Sequence, residues 1–176
     1  MKLFLLGFMI LGLMMTAVMG ICGEKMEGAT PQTATPRKEL VIQEGPKLIS
    51  EGKYDQVLNL IKDLPAKEGG DTQIKTLEYF AYLKGWVSKT CPDCKAKSWA
   101  LRTELIKLGD KETTPMMVIF LKDKDPYLRL YAAELLSHVG DKRALKDLRE
   151  AGENDENQKV RKSAKWAYEQ ISGERF

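Results

Sequence analysis

The segment 91–94 (Cys-Pro-Asp-Cys) is the one cluster in the sequence whose residue types and spacing could support covalent chemistry. It stands where a helix is predicted to begin, and three lysines lie near it: Lys89, Lys95 and Lys97. A helix N-terminus and neighbouring cations both favour the thiolate, which is the reactive form of cysteine. Any covalent chemistry of this chain would therefore start from Cys91 and Cys94.

Four interpretations of Cys91 and Cys94 compete. Outside the cytoplasm the plainest is a disulfide that fixes the start of the helix. A redox-active dithiol would need a thioredoxin-like βαβ unit, and the sequence shows no strand pattern. A closed zinc site needs four ligands, to which the sequence could add only Cys22 and His138. Covalent haem usually requires histidine after the second cysteine, where Lys95 stands. The sequence thus predicts a disulfide, with a thiol–disulfide or cofactor-handling role as the alternative.

No other set of residues suggests catalysis. The sequence has no Ser/His/Asp set, no glycine-rich phosphate loop and no metal-binding carboxylate cluster. His138 falls in the last turn of a predicted helix, where the helix dipole favours its cation. Trp86, Trp99 and Trp166 fall on predicted helices and are interpreted as packing residues. We therefore predict no catalytic residue, no cofactor and no metal.

Helices must position these side chains, because two stretches of the last third repeat each other. Residues 128–136 and 160–168 align without a gap at an offset of 32 (161 − 129). Apolar side chains fall at positions 128, 132, 135, 136 and 139, and again at 160, 164, 167, 168 and 171. This spacing is the apolar stripe of an α-helix. A unit with this period cannot bury its own face, so it stacks on its neighbours as a solenoid.

An earlier, more diverged copy precedes these two. Residues 109–111 (Gly-Asp-Lys) correspond to residues 140–142 at an offset of 31 (140 − 109). By the same offset, Leu101, Leu105 and Leu108 map onto apolar positions of the next copy. The two helices of this earlier copy are predicted at 92–108 and 115–121.

A helical hairpin is predicted in front of the repeats. Residues 38–51 form a kinked helix or two short ones, because Pro46 removes a backbone donor and clashes with the preceding turn. Gly52 then caps this segment, since glycine readily adopts the left-handed conformation. Apolar residues at helical spacing predict the next helix, which Pro65 ends. The hairpin at 48–64, with its Glu-Gly-Lys-Tyr turn, is similar to tetratricopeptide repeats.

The following helix is predicted from Asp71 or Thr72, either of which can cap it, to about Ser88. It carries apolar side chains on two faces, which is typical of a helix packed on both sides in the middle of a domain. One of those faces is aromatic and consists of Tyr79, Tyr82 and Trp86. The alternative interpretation is that this face lines a ligand groove.

The loop and helix at 121–129 (Leu-Lys-Asp-Lys-Asp-Pro-Tyr-Leu-Arg), followed by Ala132-Ala133 and Gly140-Asp141, resemble HEAT-like repeats. The version they resemble is the short type that also occurs in phycobilin lyases. The resemblance covers about residues 92–173 and is clearest over 115–173. It implies an all-α fold, a right-handed α-solenoid of antiparallel helix pairs, and a stacking geometry without any chemistry.

The resemblance also implies structural roles for several charged residues. Members of this family commonly form an Asp–Arg ladder between neighbouring repeats. Here the ladder would pair Asp123 or Asp125 with Arg129, and Asp155 with Arg161. We expect these charges to be structural rather than to bind a partner.

In such folds the second helix of each pair usually lines the concave face, which here means residues 115–121 and 142–150. The second of these helices carries four basic side chains that could meet an acidic partner: Lys142, Arg143, Lys146 and Arg149. The interleaved Asp147 and Glu150 favour a solvated face instead.

The first 23 residues are predicted to be an export segment. Lys2 is the only charge before Glu24, and a long apolar run follows it. Three forms remain open: a signal peptide cleaved after Gly20, a lipoprotein signal with Cys22 as the lipidated residue, and an uncleaved membrane anchor. Residues 24–37 are predicted to be a flexible linker and residues 38–173 the helical-repeat domain.

All three forms of the N-terminus place the folded body outside the cytoplasm, in a periplasm or at the outer face of a membrane. The formal net charge of the chain is +3. So small an excess argues against a nucleic-acid partner, which requires a basic stripe. The sequence predicts an exported, non-catalytic scaffold or adaptor that binds another envelope protein.

Overall fold

The computed structural model of this chain describes residues 37–176, and these fold into α-helices and short 3₁₀ turns without a strand. The predictions for residues 1–23, for Cys22 and for the linker up to residue 36 lie outside the described residues. No helix within the described range is long and apolar enough to cross a membrane. In chain order the helices are α1 (Arg37–Ser50), α2 (Tyr54–Lys62), α3 (Ala66–Gly69), α4 (Thr72–Val87), α5 (Cys94–Leu108), α6 (Thr114–Leu121), α7 (Pro126–Val139), α8 (Leu145–Asn154) and α9 (Gln158–Ser172).

The two matching stretches become α7 and α9, which begin in the same way. The Asp125 carboxylate accepts a hydrogen bond from the backbone of Tyr127, and the Asn157 side chain does the same for Lys159. Such caps satisfy amides that the first turn of a helix leaves unpaired. α7 ends at Gly140 with a φ of 68°, a left-handed conformation that suits glycine. α9 is one residue longer than α7, because its left-handed residue, Gly173, follows Gly140 by 33 positions (173 − 140) rather than by 32.

α1 is one continuous helix through Pro46, so of the two predicted alternatives the two short helices are excluded. α1 also approaches α4 closely, since a Cβ at Gly45 would lie 2.9 Å from a methyl carbon of Leu77. The helix predicted at 142–150 divides into a 3₁₀ turn and the longer α8. The predicted cap of the α4 helix is confirmed, since the Asp71 carboxylate accepts a hydrogen bond from the backbone of Gln73.

The predicted apolar stripe of both repeats is buried, which confirms the α-solenoid. In α7 and α9, Leu128 and Val160 have no exposed surface, and all ten positions of the two stripes are buried. The earlier copy fits less well, because Leu105 is buried while Leu108 is 49% exposed. α5 packs chiefly against α4 and only weakly against α7.

The helices stack as consecutive antiparallel pairs in which α4 packs on α5, α6 on α7, and α8 on α9. α7 also packs along α9, while α1 and α2 cover α4 at the front of the stack. Near the centre, the rings of Phe80 on α4 and Phe120 on α6 are stacked with centroids 3.9 Å apart. Both side chains are fully buried, so this contact joins the front helices to the repeats.

Replacing Phe120 with alanine should therefore destabilise the whole stack. We expect Phe120→Ala to lower the free energy of unfolding by about 3–5 kcal/mol, the usual cost of emptying a buried aromatic site. The matched control is Ile119→Ala in the same helix, because Ile119 is 53% exposed. Urea unfolding followed by circular dichroism measures both, and equal losses in the two variants would contradict the role of the Phe80–Phe120 contact.

Candidate interaction surfaces

Cys91 and Cys94 form a disulfide at the turn between α4 and α5, with Cα atoms 5.3 Å apart. Cys94 has no exposed surface. The bond lies against Gly85 of α4, where a Cβ would stand 3.1 Å from the Cys94 sulfur and 2.9 Å from the ring of Tyr54. The Tyr54 hydroxyl is in turn hydrogen-bonded to Thr90 at 2.6 Å. The disulfide therefore holds the α4–α5 turn in contact with α2.

This placement favours a structural role for the disulfide. The pair lies at a helical turn, and the described residues form no strand from which a thioredoxin-like βαβ unit could be built. Cys91 is only partly buried, so an attacking thiol could reach it more readily than Cys94. That difference is the one observation here that favours the thiol–disulfide alternative.

Arg129 of α7 is bonded to two different loops. Its Nη1 donates to the carbonyl oxygens of Asp123 and Lys124, at 2.9 and 3.1 Å, in the loop before α7. Its Nε and Nη2 donate to the two carboxylate oxygens of Asp155, at 2.8 and 3.0 Å, in the loop before α9. Hydrogen bonding to Asp155 raises the pKa of Arg129 above its ordinary value. The side chain thus ties one repeat to the next.

This geometry differs from the predicted ladder, in which Arg129 pairs with the carboxylate of Asp123 or Asp125. The Asp123 carboxylate instead accepts a hydrogen bond from the Ser50 hydroxyl of α1. Asp125 pairs with Lys84 of α4 at 2.7 Å. The reason is geometric: one edge of the guanidinium bonds to the carbonyls of its own loop, so the other edge points to the following repeat.

The predicted pair of Asp155 with Arg161 differs in the same way. Arg161 Nη1 donates to the backbone carbonyl oxygens of Asp155 and Glu156, at 2.5 and 3.2 Å. The Asp155 carboxylate is occupied by Arg129 of the preceding repeat. The one ladder step in the described residues therefore joins Arg129 to the aspartate of the next repeat, and not to an aspartate of its own repeat.

Two of the four basic residues predicted to meet an acidic partner are engaged within the chain. Arg143 Nε pairs with the Asp141 carboxylate at 2.7 Å. Arg149 donates to the Tyr168 hydroxyl at 2.5 Å, and its guanidinium lies 4.6 Å from the centroid of that ring. The other two are exposed and form no ion pair within the described part of the chain: Lys142 and Lys146.

A groove of about 430 Å³ crosses α5, α7 and α9, and we call it the α5–α7–α9 groove. Its lining mixes charged, polar and aromatic side chains: Arg102, Glu134, His138, Lys162, Ser163 and Trp166. Trp166 is 45% exposed, and the ring of His138 meets it edge-on with centroids 6.3 Å apart. Arg102 and Glu134 face each other across α5 and α7, with nitrogen and oxygen 3.5 Å apart.

Aromatic side chains continue from this groove towards the disulfide turn. Trp99 is 41% exposed and lies under the Arg102 guanidinium, 5.3 Å from ring centroid to Cζ. Tyr131 touches both Trp99 and Trp86, with centroids 6.3 and 6.4 Å apart. Burial raises the pKa of Tyr131 above its ordinary value. The surface is thus aromatic along three neighbouring helices.

The exposure of Trp99 and Trp166 corrects the prediction that all three tryptophans pack inside. The sequence held a signal for Trp166 that was missed, because position 166 aligns with Glu134 at the repeat offset (166 − 134 = 32). A position occupied by glutamate in the neighbouring repeat lies off the buried stripe. His138 lies in the last turn of α7, as predicted, and its side chain is exposed there.

No three His, Cys, Asp or Glu side chains within residues 37–176 lie close enough together to hold a metal ion. Comparison with known proteins adds one finding. Residues 85–169 match the family model described as HEAT repeats, which confirms the predicted resemblance over α5 to α9. No curated protein and no solved structure is significantly similar to the chain.

Removing the disulfide should loosen the α4–α5 turn. We expect the double variant Cys91→Ser/Cys94→Ser to lose about 2 kcal/mol of unfolding free energy, because a short closed loop constrains the unfolded chain by about that amount. Urea unfolding with and without dithiothreitol measures the effect.

The reductant is the internal control: it should lower the stability of the wild type to that of the double variant and leave the variant unchanged. A wild type whose stability is insensitive to reduction, but whose cysteines exchange rapidly with glutathione, would instead support the thiol–disulfide role.

Proposed function

We propose that this chain, whose residues 85–169 are HEAT repeats, is an exported, non-catalytic adaptor that holds another protein of the cell envelope. HEAT repeats serve as helical scaffolds for protein interactions, and stacked helices present extended surfaces for that purpose. The observation that carries the proposal is the α5–α7–α9 groove with the exposed Trp166 at its edge.

The composition of the groove suits a protein partner. Tryptophan and arginine are the residue types that contribute most at protein interfaces, and here Trp166, Trp99 and Arg102 lie together. The groove is open along its length, so it fits the side chains of a neighbouring surface better than an enclosed small molecule. Lys162 and Glu134 at its walls offer charges of both signs for a polar rim.

The proposed location rests on the first part of the sequence. An apolar run after Lys2 supports export, and Cys22 supports attachment by a lipid. The linker 24–37 could span up to roughly 50 Å when extended, at about 3.3–3.6 Å per residue. A folded body on such a tether could reach a partner in the same membrane or in a layer above it.

Substitution of Trp166 tests the interaction surface. We expect Trp166→Ala to weaken binding of the natural partner by at least about tenfold, because hot-spot residues contribute 2 kcal/mol or more. Unfolding stability should stay within about 0.5 kcal/mol, as is usual for exposed positions. Binding is measured by surface plasmon resonance with a partner first identified by affinity capture from solubilised membranes.

Ile119→Ala is the matched control, because Ile119 is equally exposed but lies on α6 and does not line the groove. If Trp166→Ala binds the partner as tightly as Ile119→Ala, the groove is not the interaction surface. If the wild-type protein captures no partner protein under any condition, the proposed adaptor function is refuted.

The proposed location has its own test. Intact-mass spectrometry of the native protein should show a chain that lacks its first 20 or 21 residues, with added acyl mass on Cys22 if it is a lipoprotein. In the lipoprotein case Cys22→Ala should move the protein from the membrane fraction to the soluble fraction. Recovery of the full-length chain from the cytoplasm would contradict export.

A further inference from the structure

Arg129 and Arg161 occupy equivalent positions of α7 and α9, and they hold their guanidinium groups in the same way. In both, Nη1 donates to two backbone carbonyl oxygens of the loop that precedes the helix. For Arg161 these are the carbonyls of Asp155 and Glu156. Anchoring of Nη1 fixes the plane of the guanidinium and aims the other edge, Nε and Nη2, away from the loop.

The second edge of the guanidinium binds a carboxylate in Arg129 but binds none of the described carboxylates in Arg161. The carboxylate of Asp155 bonds to Nε and Nη2 of Arg129 at 2.8 and 3.0 Å, a side-on fork. Arg161 has no carboxylate within ion-pair distance among the residues that the structure describes. The guanidinium of Arg161 is therefore pre-oriented for a carboxylate that this part of the chain does not supply, although its side chain is already half-buried.

The opposite end of the ladder is closed. Asp123 is the counterpart of Asp155, and in the preceding copy the arginine position is taken by Ser98 (129 − 98 = 31). The Ser50 hydroxyl of α1 occupies the carboxylate of Asp123 instead. A second copy of this chain would present an Asp155 that Arg129 already holds and a buried Asp123 that already accepts a hydrogen bond from Ser50. A head-to-tail stack of copies is thus disfavoured.

The charge of α9 complements an acidic group. The helix carries four basic side chains and a single acidic one, Glu169, near its other end. The basic residues are Lys159, Arg161, Lys162 and Lys165. These side chains attract a carboxylate, and the exposed Glu156 in the loop before α9 partly offsets them.

We infer that the α9 end of the stack docks a partner protein that presents an aspartate or glutamate to Nε and Nη2 of Arg161, as Asp155 does to Arg129. This inference deepens the proposed adaptor function and rests on it. The partner would extend the ladder by one step and would be held in register by a bidentate fork, which arginine forms and lysine does not.

The test combines affinity capture with zero-length cross-linking. The full chain, purified with its partner from solubilised membranes of the source cells, is treated with a carbodiimide, which joins lysine amines to carboxylates. We expect a cross-link from Lys159 or Lys162 to one aspartate or glutamate of the partner. Arg161→Gln should weaken binding of that partner by at least about tenfold, since hydrogen bonds to charged groups are worth about that factor.

Two further variants keep the test specific. Arg161→Lys retains the charge but not the fork, so it should also weaken binding, and thermal unfolding verifies that both variants fold. Arg37→Gln is the matched control, because Arg37 forms an exposed ion pair with Asp63 at the front of the stack. Arg161→Glu combined with arginine at the cross-linked position of the partner should restore part of the affinity.

Three outcomes would overturn the inference. They are equal binding by the wild type and Arg161→Gln, a cross-link that isotope mixing shows to join two copies of this chain, and the absence of any cross-linked partner carboxylate. A partner that is lost with Trp166→Ala but kept by Arg161→Gln would leave the adaptor function standing and refute the role of Arg161. Capture of no partner by the wild type would refute both.

Discussion

Each helix pair in this chain leaves an apolar face that only the next element of the stack can cover, and this requirement organises the described residues. Leu128 and Val160 are fully buried, where α7 packs on α6 and α9 and where α9 packs on α7 and α8. Apolar burial is not directional, so by itself it would allow the pairs to slide. The bidentate hydrogen bonds between Arg129 and Asp155 are directional and orient one repeat relative to the next. Removing one partner of a buried ion pair typically costs about 3–5 kcal/mol, so this contact is strong enough to matter. Burial provides the stability of the stack, and the fork fixes the position of one repeat against the next.

The sequence predicted the parts of this arrangement that depend on local periodicity. An offset of 32 residues between equivalent positions (160 − 128) was enough to place α7 and α9 and to identify their buried stripes, because a helix face repeats with the chain itself. Helix caps were also predictable, because a cap depends on the residue type next to the start of the helix. Asp71 accepts the backbone hydrogen bond expected of it. The Cys91–Cys94 disulfide followed from spacing and from the expected compartment, and the structure has the bond.

What the sequence did not predict are contacts between segments that are distant in the chain. The correct partner of Arg129 lies 26 residues away (155 − 129), in a loop whose approach depends on how α7 packs along α9. The hydroxyl of Ser50 replaces an arginine at Asp123 because α1 folds back over the repeats, which no local pattern encodes. These contacts arise from tertiary packing, which overrides the structural preference of any single residue.

The two ends of the stack are finished differently, and this asymmetry bears on how an adaptor could be used. At the front, α1 and α2 cover α4, and Ser50 of α1 bonds to Asp123, the first aspartate of the ladder. At the other end, the ring of Phe176 lies over Gly152, where a Cβ would approach it to 2.9 Å, so the junction of α8 with α9 is shielded from water. Arg161 lies near the start of α9, and one edge of its guanidinium is already anchored there. A surface that is both shaped and fixed before binding loses less conformational entropy when a partner arrives. The α9 end is therefore where this stack is best prepared to be continued by another protein.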